Sequence, residues 1–152
     1  NGDINWDKQY YVYSIDVMAY SVQQTSDGGY IFTGCYSCDN GSFLYLVKTD
    51  ENGDTLWTKA FGGAGDYGND VQQTTDGGYI LTGKITIYDD SKPISNDVWL
   101  IKTDSNGNME WNKTYGGFGS DEGKSVIETS DGGYILVGIT TSFGAGGHDF
   151  CL

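Results

Sequence analysis

Apolar and polar positions along this chain form short extended runs rather than helical stripes. Val71-Gln72-Gln73-Thr74 and Tyr79-Ile80-Leu81-Thr82 are β-type runs, and Asp76-Gly77-Gly78 between them supplies the positive-φ positions of a tight hairpin. No segment shows the i, i+3, i+4, i+7 spacing of an amphipathic helix. One run differs from the rest. Val98-Trp99-Leu100-Ile101 is apolar at consecutive positions, which predicts a strand covered on both faces rather than one half in water.

These runs recur. Thr25-Ser26-Asp27-Gly28-Gly29-Tyr30-Ile31 returns as Thr74-Thr75-Asp76-Gly77-Gly78-Tyr79-Ile80 and as Thr129-Ser130-Asp131-Gly132-Gly133-Tyr134-Ile135. Leu46-Val47-Lys48-Thr49-Asp50-Glu51-Asn52-Gly53, followed by Trp57, returns as Leu100-Ile101-Lys102-Thr103-Asp104-Ser105-Asn106-Gly107, followed by Trp111. Gly62-Gly63-Ala64-Gly65-Asp66 is matched by Gly116-Gly117-Phe118-Gly119-Ser120-Asp121. Each unit reads as four strands, and its period of about 50 residues is that of a propeller blade. In the turns, Asp27, Asp76 and Asp131 read as turn formers, because Asp before Gly-Gly bonds its own backbone.

The three repeats resemble the T-x-D-G-G-Y / K-T-D-x-x-G-x-x-x-W propeller repeats of large secreted or surface proteins of bacteria and archaea. That resemblance implies an all-β fold of four-stranded antiparallel blades, about three per chain, and an extracellular or cell-surface location. The Thr-Asp-x-x-Gly-x-x-x-Trp stretch is also loosely similar to the Asp-box turn of sialidase-like propellers. Those enzymes hold the substrate carboxylate with an Arg cluster, and no Arg occurs here, so the match implies a structural turn only.

The expected layout is a single propeller unit over 1–152. Residues 1–10 form an outer strand that closes a blade, 11–61 make blade 1, 62–115 blade 2, and 116–152 blade 3 without its outer strand. This phase follows from Asn1-Gly2-Asp3-Ile4-Asn5-Trp6-Asp7-Lys8, which matches Asn106 to Lys113, and from His148-Asp149-Phe150-Cys151-Leu152, which matches Asn96 to Leu100. Three blades fall short of the usual four to eight, and open blade faces would expose apolar surface. Either identical chains assemble, two giving six blades, or the chain is a piece of a longer propeller; the complementary ends favour the first. A chain opening on Asn1 without a signal-like apolar stretch is read as a mature product, a fragment or part of a longer chain.

Composition changes this picture in two ways. Against 21 acidic residues stand 8 basic ones, all Lys, for a net charge of −13. Such a chain is a poor partner for nucleic acid or for an anionic membrane, and no apolar run reaches the roughly 18 residues of a membrane span. The 3 Cys include a lone C-x-x-C, Cys35 and Cys38, with neither a second pair nor two His to complete a zinc site. It reads as a local disulfide or as two thiols in a loop, while Cys151 reads as a small core residue.

Binding residues are expected on the face that carries the Gly-rich links and the variable stretches 35–42, 84–96 and 139–148, because variable segments on a rigid scaffold are where binding sits. The acids on this face are Asp66, Asp70, Asp89, Asp90, Asp121, Glu122 and Asp149, and the binding candidates are Tyr36, Asp66, Asp89, Asp90, Asp121 and His148. Among these acids, Asp66 and Asp121 are weak Ca²⁺ candidates, and no other cofactor is expected. Gln23, Gln24, Gln72, Gln73 and Glu128 lie on the inner strands, where they line a polar channel or reach a ligand. A tyrosine-rich first unit (Tyr10, Tyr11, Tyr13, Tyr20, Tyr36) suits sugar rings as well as packing between sheets. His148 is the only His, and no G-x-S-x-G is present, so no catalytic residue is assigned.

The expectation is a non-catalytic extracellular module for binding or surface assembly. Its partners are identical chains that complete the propeller and glycans or surface proteins, with no nucleic acid and no membrane insertion. The alternatives are a carbohydrate-active hydrolase with paired carboxylates on the loop face, or a structural subunit of a filament or sheath.

Overall fold

The computed structural model describes residues 7–10, 17–38, 41–90, 92–144, 147 and 149–151. Every regular element among them is a strand, and all strand pairs are antiparallel. The first sheet is a meander of β1 (Val17–Gln24), β2 (Tyr30–Cys38), β3 (Gly41–Thr49) and β4 (Thr55–Phe61). The second repeats it with β5 (Tyr67–Gln73), β6 (Tyr79–Asp89), β7 (Lys92–Thr103) and β8 (Met109–Tyr115). The third has β9 (Asp121–Glu128), β10 (Tyr134–Thr140) and β11 (Asp149–Cys151).

The hairpins follow from the Asp-Gly-Gly sequence. Gly28, Gly77 and Gly132 all adopt positive φ, and in each turn the amide of that Gly donates to the carbonyl of the Thr three residues back. Asp27 Oδ1 accepts from the Thr25 hydroxyl at 2.6 Å and from the Gly29 amide at 3.0 Å. Asp76 repeats this with Thr74 and Gly78 at 2.6 and 2.9 Å. The second Gly serves packing. A Cβ on Gly78 would run into the Thr103 carbonyl oxygen and the Lys102 ammonium.

The sheets pack face to face. Ile31, Leu44 and Leu46 of the first meet Val71, Tyr79, Leu81, Trp99 and Ile101 of the second in one buried cluster. On the opposite face of the second sheet, Ile80 and Leu100 meet Val126 of the third. Val98, Trp99, Leu100 and Ile101 are therefore all buried, as their unbroken apolar run requires. Alternate side chains serve opposite neighbours. The inner strands β1, β5 and β9 also contact one another in order. Gly68 on β5 and Gly123 on β9 let each inner strand settle on the second strand of the sheet before, since a Cβ on either would strike the hydroxyl of Thr33 on β2 or Thr82 on β6.

Two of the stretches expected as loops are strand. Residues 35–38 belong to β2 and 41–42 to β3, and the β6–β7 ladder runs out to Asp89↔Lys92. Ile85, Thr86, Ile87 and Tyr88 are β-branched or aromatic residues that favour the ladder. Asp90, at φ 45°, makes the tight turn, a conformation Asp tolerates. Residues 7–10 lie on the outward face of the first sheet. There the Tyr10 ring packs on Phe32 at 5.0 Å and its hydroxyl donates to the Gly53 carbonyl at 2.8 Å.

Gly78→Ala is expected to destabilise by about 1–3 kcal/mol through overpacking against a strand carbonyl. Gly133→Ala is expected to cost clearly less, because its Cβ would meet only side-chain atoms at 3.1 and 3.4 Å. Urea midpoints of the two variants check the order; equal losses would contradict it.

Candidate functional site

In a meander of this order, the Asp-Gly-Gly and Asn-Gly turns share one end of each sheet. The Gly-rich links share the other end with the β2–β3 and β6–β7 turns. The acids singled out from sequence divide accordingly. Asp66 and Asp121 are buried at the links and are held by their own sheets. Asp66 accepts from the amides of Gly63 and Thr86, both at 2.7 Å; burial raises its pKa. Asp121 accepts from the Gly117 amide at 3.1 Å and from the hydroxyls of Thr140 and Ser142. Burial pushes Asp121 up, but these donors outweigh it and hold the carboxyl below its usual range. Both Ca²⁺ candidates thus fasten links, and among the described residues no three of His, Cys, Asp and Glu come together as a metal cluster.

The other candidates do not converge. Asp89 and Asp90 are exposed at the tip of the β6–β7 hairpin. Tyr36 sits on β2, stacked on Tyr45 at 5.7 Å. His148 lies outside the described residues, as do Tyr11 and Tyr13. Cys35 is a buried free thiol near the Tyr20 hydroxyl at 3.7 Å. The disulfide left open by sequence does not form, and geometry explains why. Both Cys35 and Cys38 lie on extended β2, where three residues span about 10 Å, beyond the roughly 7 Å that a disulfide bridges.

Convergence occurs instead on the inner strands. Asp70 of β5 joins all three sheets: it accepts from the Ser21 hydroxyl at 2.7 Å, the Ser125 hydroxyl at 2.8 Å and the Val126 amide at 3.0 Å. Towards the Asp-Gly-Gly end, Gln73 Oε1 accepts from the Ser26 amide, and Glu128 from the Thr75 amide, both at 2.8 Å. Gln23 accepts from the Gln73 amide at 2.6 Å. These amides and acids stitch neighbouring sheets together.

Towards the link end the inner strands open into a mixed cluster. Tyr20 and Tyr67 meet edge to face at 6.0 Å, and the Lys84 ammonium lies 4.8 Å from the Tyr67 ring centre. Asn69 donates to Glu122 at 2.7 Å and to the Gly123 carbonyl at 2.8 Å, and Lys124 pairs with Glu122. Burial pushes the Glu122 carboxyl up, but Lys124, Asn69 and Tyr67 outweigh it and keep the group below its normal pKa. Burial, followed by the adjacent Glu122, pushes the Tyr67 phenol well above its ordinary value. At neutral pH the cluster thus offers an anionic acceptor, a neutral phenol, an amide and two cations around exposed aromatic surface. These residues belong to no repeated motif. The available signal was that the positions after each link differ from unit to unit.

Two lysines went unread in the sequence. Lys48 and Lys102 are buried. Each pairs at 2.8 Å with the turn carboxylate of its own sheet, Asp27 or Asp76, and donates to the next carbonyl, that of Thr49 or Thr103. Lys102 gains a further partner in Glu110 at 3.1 Å. This pairing explains why the Asp-Gly-Gly and Lys-Thr-Asp motifs travel together. Hydrogen bonds from Lys48 and Thr25 hold Asp27 at about 2, and Lys102 and Thr74 hold Asp76 at about 2.

A carboxyl whose folded pKa is depressed adds stability that is present above its unfolded pKa, 3.8 for Asp, and that is lost as pH falls through the folded value. Stability is therefore expected to drop between about pH 4 and pH 2, less steeply in Asp27→Asn. At pH 7, Asp27→Ala is expected to cost about 2 kcal/mol, since it leaves a buried ammonium beside a half-exposed vacancy. Asp76→Ala costs less because Glu110 remains; urea unfolding at both pH values measures this, and a reversed order would contradict it. The chain matches no known family model and no curated protein sequence.

Proposed function

We propose that the three sheets are consecutive blades of a β-propeller, and that the chain is a non-catalytic extracellular or cell-surface module for binding or surface assembly. Face-to-face packing of repeated four-stranded meanders, with the inner strands adjacent, supports the propeller reading. The observation that carries the binding reading is the cluster of Tyr20, Tyr67, Asn69, Glu122, Lys84 and Lys124, where three inner strands meet. Its chemistry suits a neutral sugar. Aromatic faces stack on the apolar side of a pyranose, while a carboxylate, an amide and ammonium groups exchange hydrogen bonds with hydroxyls. The net charge of −13 disfavours polyanionic ligands.

The cluster holds one carboxylate, Glu122, and Asp70 is engaged by Ser21, Ser125 and the Val126 amide. Glycoside cleavage needs two carboxyl groups facing one bond, so the non-catalytic reading is preferred.

A glycan array followed by calorimetry tests the reading. Neutral saccharides are expected among the hits. Glu122→Gln and Tyr67→Ala are each expected to weaken binding about tenfold or more, the loss of one charge-assisted hydrogen bond or one stacking contact. An array without hits, or hits indifferent to both substitutions, would overturn it.

A further inference from the structure

The two junctions between a Gly-rich link and the hairpin of the sheet before it are built differently. At the first, the Gly65 amide donates to the Ser42 carbonyl at 3.1 Å, and a Cβ on Gly41 would overlap the Cβ of Ala64. Two small residues close this junction. At the second, the Asn96 amide donates to the Gly119 carbonyl at 3.3 Å, and Phe118 stands where the first link has Ala64. The Phe118 side chain is fully exposed. The fold does not call for an aromatic ring at this position, since Ala64 serves it in the first link and the Phe118 ring buries nothing.

Between Phe118 and the β6–β7 hairpin lies a groove of about 290 Å³, lined chiefly by Pro93, Ile94, Ser95, Asn96, Phe118 and Ser120. The link that carries Phe118 is pinned on its other side as well. The Gly119 amide donates to Ser142 Oγ at 3.0 Å, and the Ser120 amide to Thr141 Oγ1 at 2.6 Å. A ligand therefore meets a groove already ordered, which lowers the entropic cost of binding. The lining offers an aromatic ring, two apolar side chains, two hydroxyls and an amide, and no charged side chain, in a chain whose net charge is −13. Asn96 and Ser120 hold each other only at 3.4 Å, so both keep hydrogen-bonding capacity. An uncharged ligand with apolar patches and many hydroxyls matches that set. A charged peptide segment would find no counter-ion in it.

The groove is continuous with the cluster of Tyr20, Tyr67 and Glu122. Phe118 and Glu122 lie on one segment, four residues apart, a span of at most about 14 Å. Lys84 of the cluster and Asn96 of the groove lie on the same hairpin, where Lys84 pairs with Val98 and Thr86 with Asn96. Two aromatic platforms set apart along shared segments suit a chain of sugar units rather than a single ring. Resting on the sugar reading above, we infer that the ligand at this end of the sheets is a neutral oligosaccharide or polysaccharide chain. One unit sits in the cluster, and another unit along the chain stacks on Phe118, with its hydroxyls bonded to Ser95, Asn96 and Ser120.

Titrations of glucose, mannose and xylose, and of the linear oligomers of each, test this. For the sugar that binds, affinity is expected to rise about tenfold from the single unit to the chain, the gain from one more stacked ring. Phe118→Ala is expected to remove that gain and to leave affinity for the single unit unchanged. Phe118→Trp is expected to retain the gain, and Glu122→Gln to weaken single unit and chain alike. Urea midpoints of both Phe118 variants are expected to match the wild type, because this side chain is exposed. Affinity that ignores chain length, or a length gain that survives Phe118→Ala, would overturn the inference while leaving the cluster reading in place, and would give the groove to another occupant such as a protein loop. No binding of any of these sugars at any length would overturn both.

Discussion

A sheet that is apolar on both faces needs a neighbour on each side, and the second sheet of this protein is such a sheet. Ile80 and Leu100 point one way, Leu81 and Ile101 the other, and all four are buried. Burying a side chain of this size gains about 1.5–3 kcal/mol, so leaving either face in water would remove much of what holds a small domain folded. The face-to-face stacking follows from that requirement, while the meander order divides each sheet into a link end and a turn end. At the two outer faces the repeat equivalents Val22 and Ile135 are exposed.

Charge is arranged around this apolar stack with economy of cations. Lys48 and Lys102 are buried and clamp the Asp27 and Asp76 turns to the third strand of their own sheets. Lys8 and Lys59 bridge outer strands to the next turn. Lys84 and Lys124 lie beside Tyr67 and Glu122. The excess of acids leaves a net charge of −13, while the link-side cluster retains mixed charge and aromatic surface.

Strand content, hairpin positions and the two-sided burial of Val98 to Ile101 were legible because each rests on a local pattern repeated in sequence. The β6–β7 hairpin was not, because Asp, Ser and Pro near its tip read as loop although Ile85 to Tyr88 favour a strand. The inward turn of Asp66 and Asp121 was also hidden, since their amide donors come from the link and from a distant hairpin. Lys48 and Lys102 escaped notice because a lysine amid apolar residues reads as surface until its partner, 21 residues away in the case of Asp27, is brought to it. Tyr20, Glu122 and the pair Tyr67 and Asn69 lie on three different strands, and only the adjacency of β1, β5 and β9 gathers them.

Contacts between aromatic rings report the stacking most directly. Trp57 of the first sheet lies 5.9 Å from Tyr79 of the second, and Trp111 of the second lies 5.7 Å from Tyr134 of the third. Nuclear Overhauser spectra of the folded chain should therefore show cross-peaks within the pairs Trp57–Tyr79 and Trp111–Tyr134. Intact strand signals with neither cross-peak would mean that the sheets do not stack face to face.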